Sequence, residues 1–399
     1  MKFFTNIFTR SFIVIFILSV LVFTLASHRP TPAVGYDEAR YAGYMNILHT
    51  YGIDGVRGMF QILVEKKDST NPSPLRILNY FIGELSCYFT SDCGINNLVA
   101  VSLFSVVALT LVAFFLLFEW FTPLIAVLSS SLFIFSPLLL HLSGRALQDP
   151  LFALIIVSSI LYYHRCWTRK NTSDSIILGI LLFAGFLTKE LMIFVYPCFV
   201  VVGIYYWKST NAFPVKRIVA PLVLAPIVYL KIIIWIAGGA DAFFSFYLSF
   251  SQQFSSVPYA LNYHGPWFHY LVDFILVSPL TVLLAIVGMV IPEQNEKNKN
   301  GKNLALLYLL SGLVVFGALS LHNIRYLLFV DLFIRLFAVF GAVALLRRIS
   351  NKRYFLFAMA FLVSCIIGIE IYQFVRIFVI FGTYDPVTSV LMQANGFGV

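Results

Sequence analysis

Long apolar runs separated by short polar breaks dominate the chain. They fall at roughly 11–27, 95–118, 122–141, 150–167, 175–190, 191–207, 216–236, 269–291, 303–320, 324–346 and 354–381. At about 20 residues per crossing, the pattern predicts an all-α, polytopic membrane protein with about eleven transmembrane helices. The first run follows Lys2 and Arg10 and so resembles a secretory leader. It is longer than an h-region and reads as an uncleaved first helix. The 75–90 segment is short and interrupted by Asn79 and Glu84, so an interfacial helix on the outer surface is expected there. The chain then forms one integral membrane domain over 1–399, with a first extracytoplasmic loop at 28–94 that carries interfacial helices and a second at 237–268.

Charge assigns the sides. Connections at 1–10, 119–121, 165–174, 208–215, 292–302 and 347–353, with their flanks, hold Lys2, Arg10, Arg165, Arg169, Lys170, Lys208, Lys216, Arg217, Lys297, Lys299, Lys302, Arg347, Arg348, Lys352 and Arg353, the 119–121 turn carrying no base. The positive-inside rule puts these in the cytoplasm. Crossing 75–90 would invert every later loop.

Composition agrees with a membrane bundle: 60% of the 399 residues are hydrophobic and 11% are charged, with mean hydropathy +0.89. A soluble domain carries about 25% charge. The net charge of +9 does not point to nucleic acid, because the basic residues are scattered between apolar runs with no basic domain. The five cysteines have no metal spacing; Cys166, Cys198 and Cys365 lie in or beside apolar runs, whereas Cys87 and Cys93 fall in an outer polar stretch where a disulfide is plausible.

Under this topology the unusual polar residues collect on the outer side. Gly35-Tyr36-Asp37-Glu38-Ala39-Arg40-Tyr41-Ala42 follows the first run and pairs two adjacent carboxylates with an arginine. The plain reading is an acidic helix start with Asp37 and Arg40 at i,i+3. The chemical reading is a proton acceptor or metal ligand. Arg145-Ala146-Leu147-Gln148-Asp149-Pro150 lies between two crossings, with Asp149 as a helix cap or a second working acid. Thr188-Lys189-Glu190 splits an otherwise continuous apolar stretch; a turn explains the break, and a lysine at the lipid boundary suits a phosphate. His264, in Leu261-Asn262-Tyr263-His264-Gly265-Pro266-Trp267, is a metal ligand, a proton carrier or neither, while Trp267 and Tyr270 fit an aromatic belt. Arg325, in His322-Asn323-Ile324-Arg325-Tyr326, offers a phosphate-binding fork or snorkels at a helix end. Asp331 and Arg335, four apart inside a crossing, read as a neutralising pair.

This ordered set resembles the GT-C glycosyltransferases that use polyprenyl-phosphate sugars, in particular the protein O-mannosyltransferases and the lipid A aminoarabinose transferases. The set comprises an acidic pair after the first helix, Asp149-Pro150, Thr188-Lys189-Glu190, His264-Gly265-Pro266-Trp267 and Arg325-Tyr326-Leu327-Leu328. The resemblance runs from about residue 30 to 330. It implies inverting transfer of a sugar from a polyprenyl-phosphate donor to a lipid, glycan or protein acceptor on the extracytoplasmic face of a cell membrane, a bacterial inner membrane being the expected one. Asp37 matches the acidic base position and Glu38 is its neighbour. Lys189 and Arg325 match positions near the donor phosphate; Arg40, Tyr41, Asp149, His264 and Tyr326 are further cavity positions. Metal use stays open, with Asp37, Asp149 and His264 as candidate ligands of a divalent ion. Relatives often carry Lys-Pro-Pro where this chain has Asn71-Pro72-Ser73-Pro74; Lys66, Lys67 and Arg76 are the replacements at hand. Two alternatives remain: a transporter or flippase of a lipid-linked saccharide, which would place charge near the midplane and show inverted repeats, and a non-catalytic membrane assembly factor.

Overall fold

A computed structural model describes residues 2–28, 35–65, 73–89, 93–169, 171–210, 214–254, 265–319 and 322–383. Every apolar run falls on helix, and no strand occurs among the described residues. Helix α1 (Lys2–Ser27) leads into α2 (Tyr36–Glu65), which bends at Gly52, where φ is 62°. Helix α3 (Ile77–Cys87) has 11 residues. At 1.5 Å per residue it reaches about 16 Å, too short to cross a bilayer core of about 30 Å. Its interrupting polar residues, Asn79 and Glu84, are buried, and Glu84 accepts from His49 of α2 at 3.3 Å. Cys87 and Cys93 are joined in a disulfide just after α3.

Helix α4 (Ile95–Trp120) is followed by α5 (Pro123–Ile134) and α6 (Pro137–Ser143), a pair bent by 55°. Next come α7 (Asp149–Thr168), α8 (Thr172–Thr188), a 3-10 turn at Glu190–Val195, α9 (Tyr196–Thr210), α10 (Val215–Ile236) and α11 (Ala240–Phe254). Helices α12 (His269–Val277) and α13 (Pro279–Val290) form a second bent pair, at 117°. Helix α14 (Glu296–Gly317), a 3-10 turn at Ile324–Leu327, α15 (Leu328–Leu346) and α16 (Lys352–Phe374) complete the described bundle. By length and composition, 8 described helices can cross a membrane alone, or 10 if each bent pair is one span. The remaining run of the expected eleven is α8, a shorter apolar helix of 17 residues. At the far end of α7, Arg165 and the following Arg169 both pair with Glu119 of α4, at 2.5 and 2.6 Å.

The central helix is α15: 89% of its apolar window is buried, against 17% for α1 and 22% for α16. It packs against α13 so closely that a Cβ on Gly288 would stand 1.9 Å from the Phe337 carbonyl oxygen, and one on Gly341 2.1 Å from that of Leu284. Only glycine permits that backbone approach, the usual means of tight helix packing in lipid.

Arg335 of α15 anchors a second feature. The expected Asp331–Arg335 pair is present at 3.2 Å. The guanidinium also meets Glu370 of α16 at 2.9 Å, so two acids share one cation. The serines at both helix breaks join this hub. Ser136 donates to Asp331 at 2.5 Å, and Ser278 accepts from Arg335 and donates to Glu370, both at 2.8 Å. Polar groups at a break in a membrane helix must find partners inside the protein, and here the serine of one corner is tied to Asp331 and that of the other to Arg335 and Glu370, all members of one ion-paired hub.

Candidate active site

Helix starts and 3-10 turns bring several of the polar residues singled out in the sequence together. Asp37 and Glu38 lie in the first turn of α2, Asp149 opens α7, Lys189 ends α8, and Arg325 lies in the turn before α15. Asp149 is the first helical residue rather than the cap; Gln148 takes the cap position and makes no capping bond.

Four of these side chains form a line of alternating charge. Lys189 Nζ donates to Asp149 Oδ1 at 2.6 Å. Asp149 Oδ2 accepts from Arg325 Nη1 at 3.3 Å, and Arg325 Nη2 lies 3.8 Å from Asp37 Oδ2. The side chains of Lys189, Asp149 and Arg325 are at most 4% exposed, and that of Asp37 is 29% exposed. The line therefore becomes accessible at Asp37. Asn323 fixes the Arg325 fork, accepting from Nε at 2.9 Å. Tyr326 lies beneath Lys189, whose ammonium is 4.1 Å from the ring centre, a cation–π contact. Burial pulls the Lys189 ammonium below the ordinary lysine range, and the Asp149 carboxylate offsets part of that shift.

Tyr41 is buried beneath α2 against Tyr80, with ring centres 5.8 Å apart. Burial first, and then the Asp37 charge, push its hydroxyl well above the usual phenol range. Arg40 is half-buried on the same helix.

Glu38 occupies a different setting. It pairs with Arg145 at 2.6 Å and accepts from the backbone N–H groups of Gly35 and Ala146, both at 2.8 Å. The carboxylate ties the start of α2 to the segment before α7 and is engaged on both oxygens. Arg76 pairs with Glu190 at 2.8 Å, and Tyr247 of α11 donates to the same carboxylate at 2.7 Å. Burial opposes the Arg76 charge, yet the Glu190 carboxylate holds the guanidinium well above its ordinary range.

Several positions differ from expectation. His264 lies outside the described residues, as do Lys66 and Lys67. Trp267 is exposed, as a belt residue would be, but Tyr270 is buried and its hydroxyl accepts from the Asn323 N–H at 3.2 Å. Asp149 is a poor metal ligand, since each oxygen faces a cation. Among the described residues no three His, Cys, Asp or Glu side chains gather as a cation site. Arg145, Asn323, Glu190 and Tyr247 belong to the site but were not singled out as site residues. Their partners are 107, 2, 114 and 57 residues away in sequence, and only the local Asn-x-Arg spacing left a signal.

Residues 99–249 match the family model described as dolichyl-phosphate-mannose-protein mannosyltransferase. That stretch contains Arg145, Asp149, Lys189, Glu190 and Tyr247. By sequence, no curated protein matches the chain. Among solved structures, ArnT from Cupriavidus metallidurans bound to undecaprenyl phosphate is similar with a TM-score of 0.60 at 14% identity, covering 88% of this chain and 63% of that one. The apo form of ArnT gives 0.53 at 15%, covering 90% and 64%. The Archaeoglobus fulgidus oligosaccharyltransferase, tethered to an acceptor peptide containing the NVT sequon, gives 0.53 at 13%, covering 91% and 54%. The chain thus spans less than two thirds of the length of each. Identities this low speak to architecture, and the architecture is the GT-C fold shared by these membrane proteins.

Proposed function

We propose that the protein is a membrane glycosyltransferase that moves a sugar from a polyprenyl-phosphate carrier to an acceptor hydroxyl or amine. The observation that carries this reading is the buried Lys189–Asp149–Arg325 line ending on one accessible carboxylate, Asp37. Asp37 takes the acceptor proton as the acceptor oxygen or nitrogen attacks the anomeric carbon. The bond from that carbon to the phosphate oxygen breaks, and the carrier leaves as a phosphate monoester with one additional negative charge. Lys189 and Arg325 stabilise that charge where water is excluded. Attack opposite the leaving phosphate inverts the anomeric centre. Asp149 holds the two cations in place, Tyr326 lines the Lys189 side, and Glu38 positions α2 so that Asp37 faces the opening. The mannosyltransferase family match and the undecaprenyl phosphate held by the similar ArnT structure support a lipid-linked donor. The basic inner connections support an extracytoplasmic site beneath the 28–94 loop.

The test is sugar release from a polyprenyl-phosphate donor by detergent-purified protein. Asp37→Asn keeps size and helix-start preference but cannot take up the proton. It should lower turnover about 10²–10⁴-fold with donor binding retained. Near-normal turnover in Asp37→Asn would refute the base assignment. A wild type that moves lipid-linked sugar across vesicles yet releases none is a flippase.

A further inference from the structure

Gln148 is fully buried, and neither its Oε1 nor its Nε2 has a hydrogen-bond partner among the described residues. Buried amides without partners are rare, because each unpaired group forfeits its bonds to water. Helix capping does not account for the residue. Gln148 stands at the cap position of α7, but its side chain caps nothing, and only its backbone carbonyl takes part in the helix, accepting from Phe152 at 2.9 Å. A methionine would fill the same space without the cost. The amide therefore calls for a partner that the described residues do not supply.

Its place in the chain says what that is. Gln148 directly precedes Asp149, the carboxylate between Lys189 and Arg325. Asn323, bonded through Oδ1 to Arg325, leaves its buried Nδ2 without a partner among the described residues. Two amides with unused donors thus belong to the site, one next to Asp149 in sequence and one bonded to Arg325. A phosphate would take the cations themselves. A neutral group that both donates and accepts, as an alcohol does, matches a carboxamide. Gln148 adjoins Asp149 in sequence and Asn323 is bonded to Arg325, so beside a phosphate held by the cations the neutral group offered to these amides is the sugar that the phosphate carries. We propose that the Gln148 carboxamide, together with Asn323 Nδ2, binds ring hydroxyls of the donor sugar and sets which sugar is accepted. This rests on the glycosyltransferase reading above. The three side-chain torsions of Gln148 let its amide turn toward a ligand seated on the Asp149 pole.

The experiment compares wild type and Gln148→Met in three measurements on full-length protein in detergent. These are melting temperature, affinity for sugar-free undecaprenyl phosphate, and kcat/KM on a panel of undecaprenyl-phosphate hexoses and pentoses. The expected result is a melting temperature equal to or above wild type and an unchanged affinity for the bare carrier. With the best donor, kcat/KM should fall about 5- to 10-fold, the effect of one neutral hydrogen bond. A deoxy donor lacking the hydroxyl in question should be used equally by both proteins, because the pair is already broken. A lower melting temperature, or failure to fold, would mean that the amide serves the fold and would overturn the proposal. Equal losses on carrier and donor, or no loss at all, would overturn it too. If the wild type uses no donor in the panel, the glycosyltransferase reading itself fails, visibly and apart from any effect of the variant.

Discussion

Glu38 and Asp37 are neighbours in sequence, but the structure sets them different tasks, and Glu38→Ala separates these. The substitution removes a carboxylate that is 4% exposed and bonded to Arg145, to the Gly35 N–H and to the Ala146 N–H. Hydrogen bonds to a charged group are worth about 1.5–3 kcal/mol each, so three of them set a ceiling of roughly 4.5–9 kcal/mol. The partly buried Gly35 N–H can recover water, but the N–H of the fully buried Ala146 and the Arg145 side chain, 4% exposed, cannot. Breaking a buried pair on one side typically costs about 3–5 kcal/mol, and that is the expected loss. The assay is thermal denaturation of detergent-purified protein, followed by a cycle with Arg145→Met and the double variant Glu38→Met, Arg145→Met. Because the double variant leaves no buried charge unpaired, it should be more stable than Glu38→Ala. A Glu38→Ala protein that melts like wild type but has lost transfer would refute the reasoning. It would make Glu38 a reacting group rather than the tie that holds α2.

Three further outcomes are expected. Burial lowers the Lys189 pKa, so its ammonium is lost as pH rises at a lower pH than for an ordinary lysine, and donor affinity should fall along the same alkaline limb. Lys189→Arg stays charged there; an unchanged limb in titrations of that variant would exclude Lys189 as the phosphate contact. Arg335→Met leaves Asp331 and Glu370 buried without their cation and should cost about 3–5 kcal/mol, seen as a lower melting temperature or loss of folded protein; melting like wild type would contradict the hub. The Cys87–Cys93 bond should be closed in protein from its native membrane, and mass spectrometry finding both thiols free would count against it.

The helices were legible because hydropathy alone places them. The two bends were not, although Ser136-Pro137 and Ser278-Pro279 were open to view. Proline marks a possible break, but a run of hydropathy conceals one when the corner is held by a side chain distant in sequence. Ser278 is held by Arg335, 57 residues on, and Ser136 by Asp331, 195 residues on. The same logic governs the site. Asp37, Asp149, Lys189 and Arg325 were recognisable one by one as charges that lipid would not tolerate without reason. Their order along the line was not recognisable, because the Lys189–Asp149 and Asp149–Arg325 contacts span 40 and 176 residues. Nor did the sequence distinguish Asp37 from Glu38, since that difference comes from Arg145 and two backbone N–H groups supplied by the rest of the fold.

The two charge systems together favour catalysis over transport. Both involve the α15 region, with Arg325 in the turn before it and Arg335 ten residues further on, about 15 Å deeper along a helix. A carrier that moves a charged head group through the membrane needs deep charges that can exchange partners. The deep system here offers little to exchange. Arg335 is fully buried, and it is bonded to Asp331, Glu370, Thr281 and Ser278. Releasing any of these would also loosen the corner at Ser278 or the one at Ser136. The Arg325 system is the open one, and it opens at the Asp37 end, where that carboxylate is 29% exposed. A reaction completed at that end needs no passage through the hub, so this arrangement suits an enzyme whose lipid-borne donor reaches the site from within the membrane.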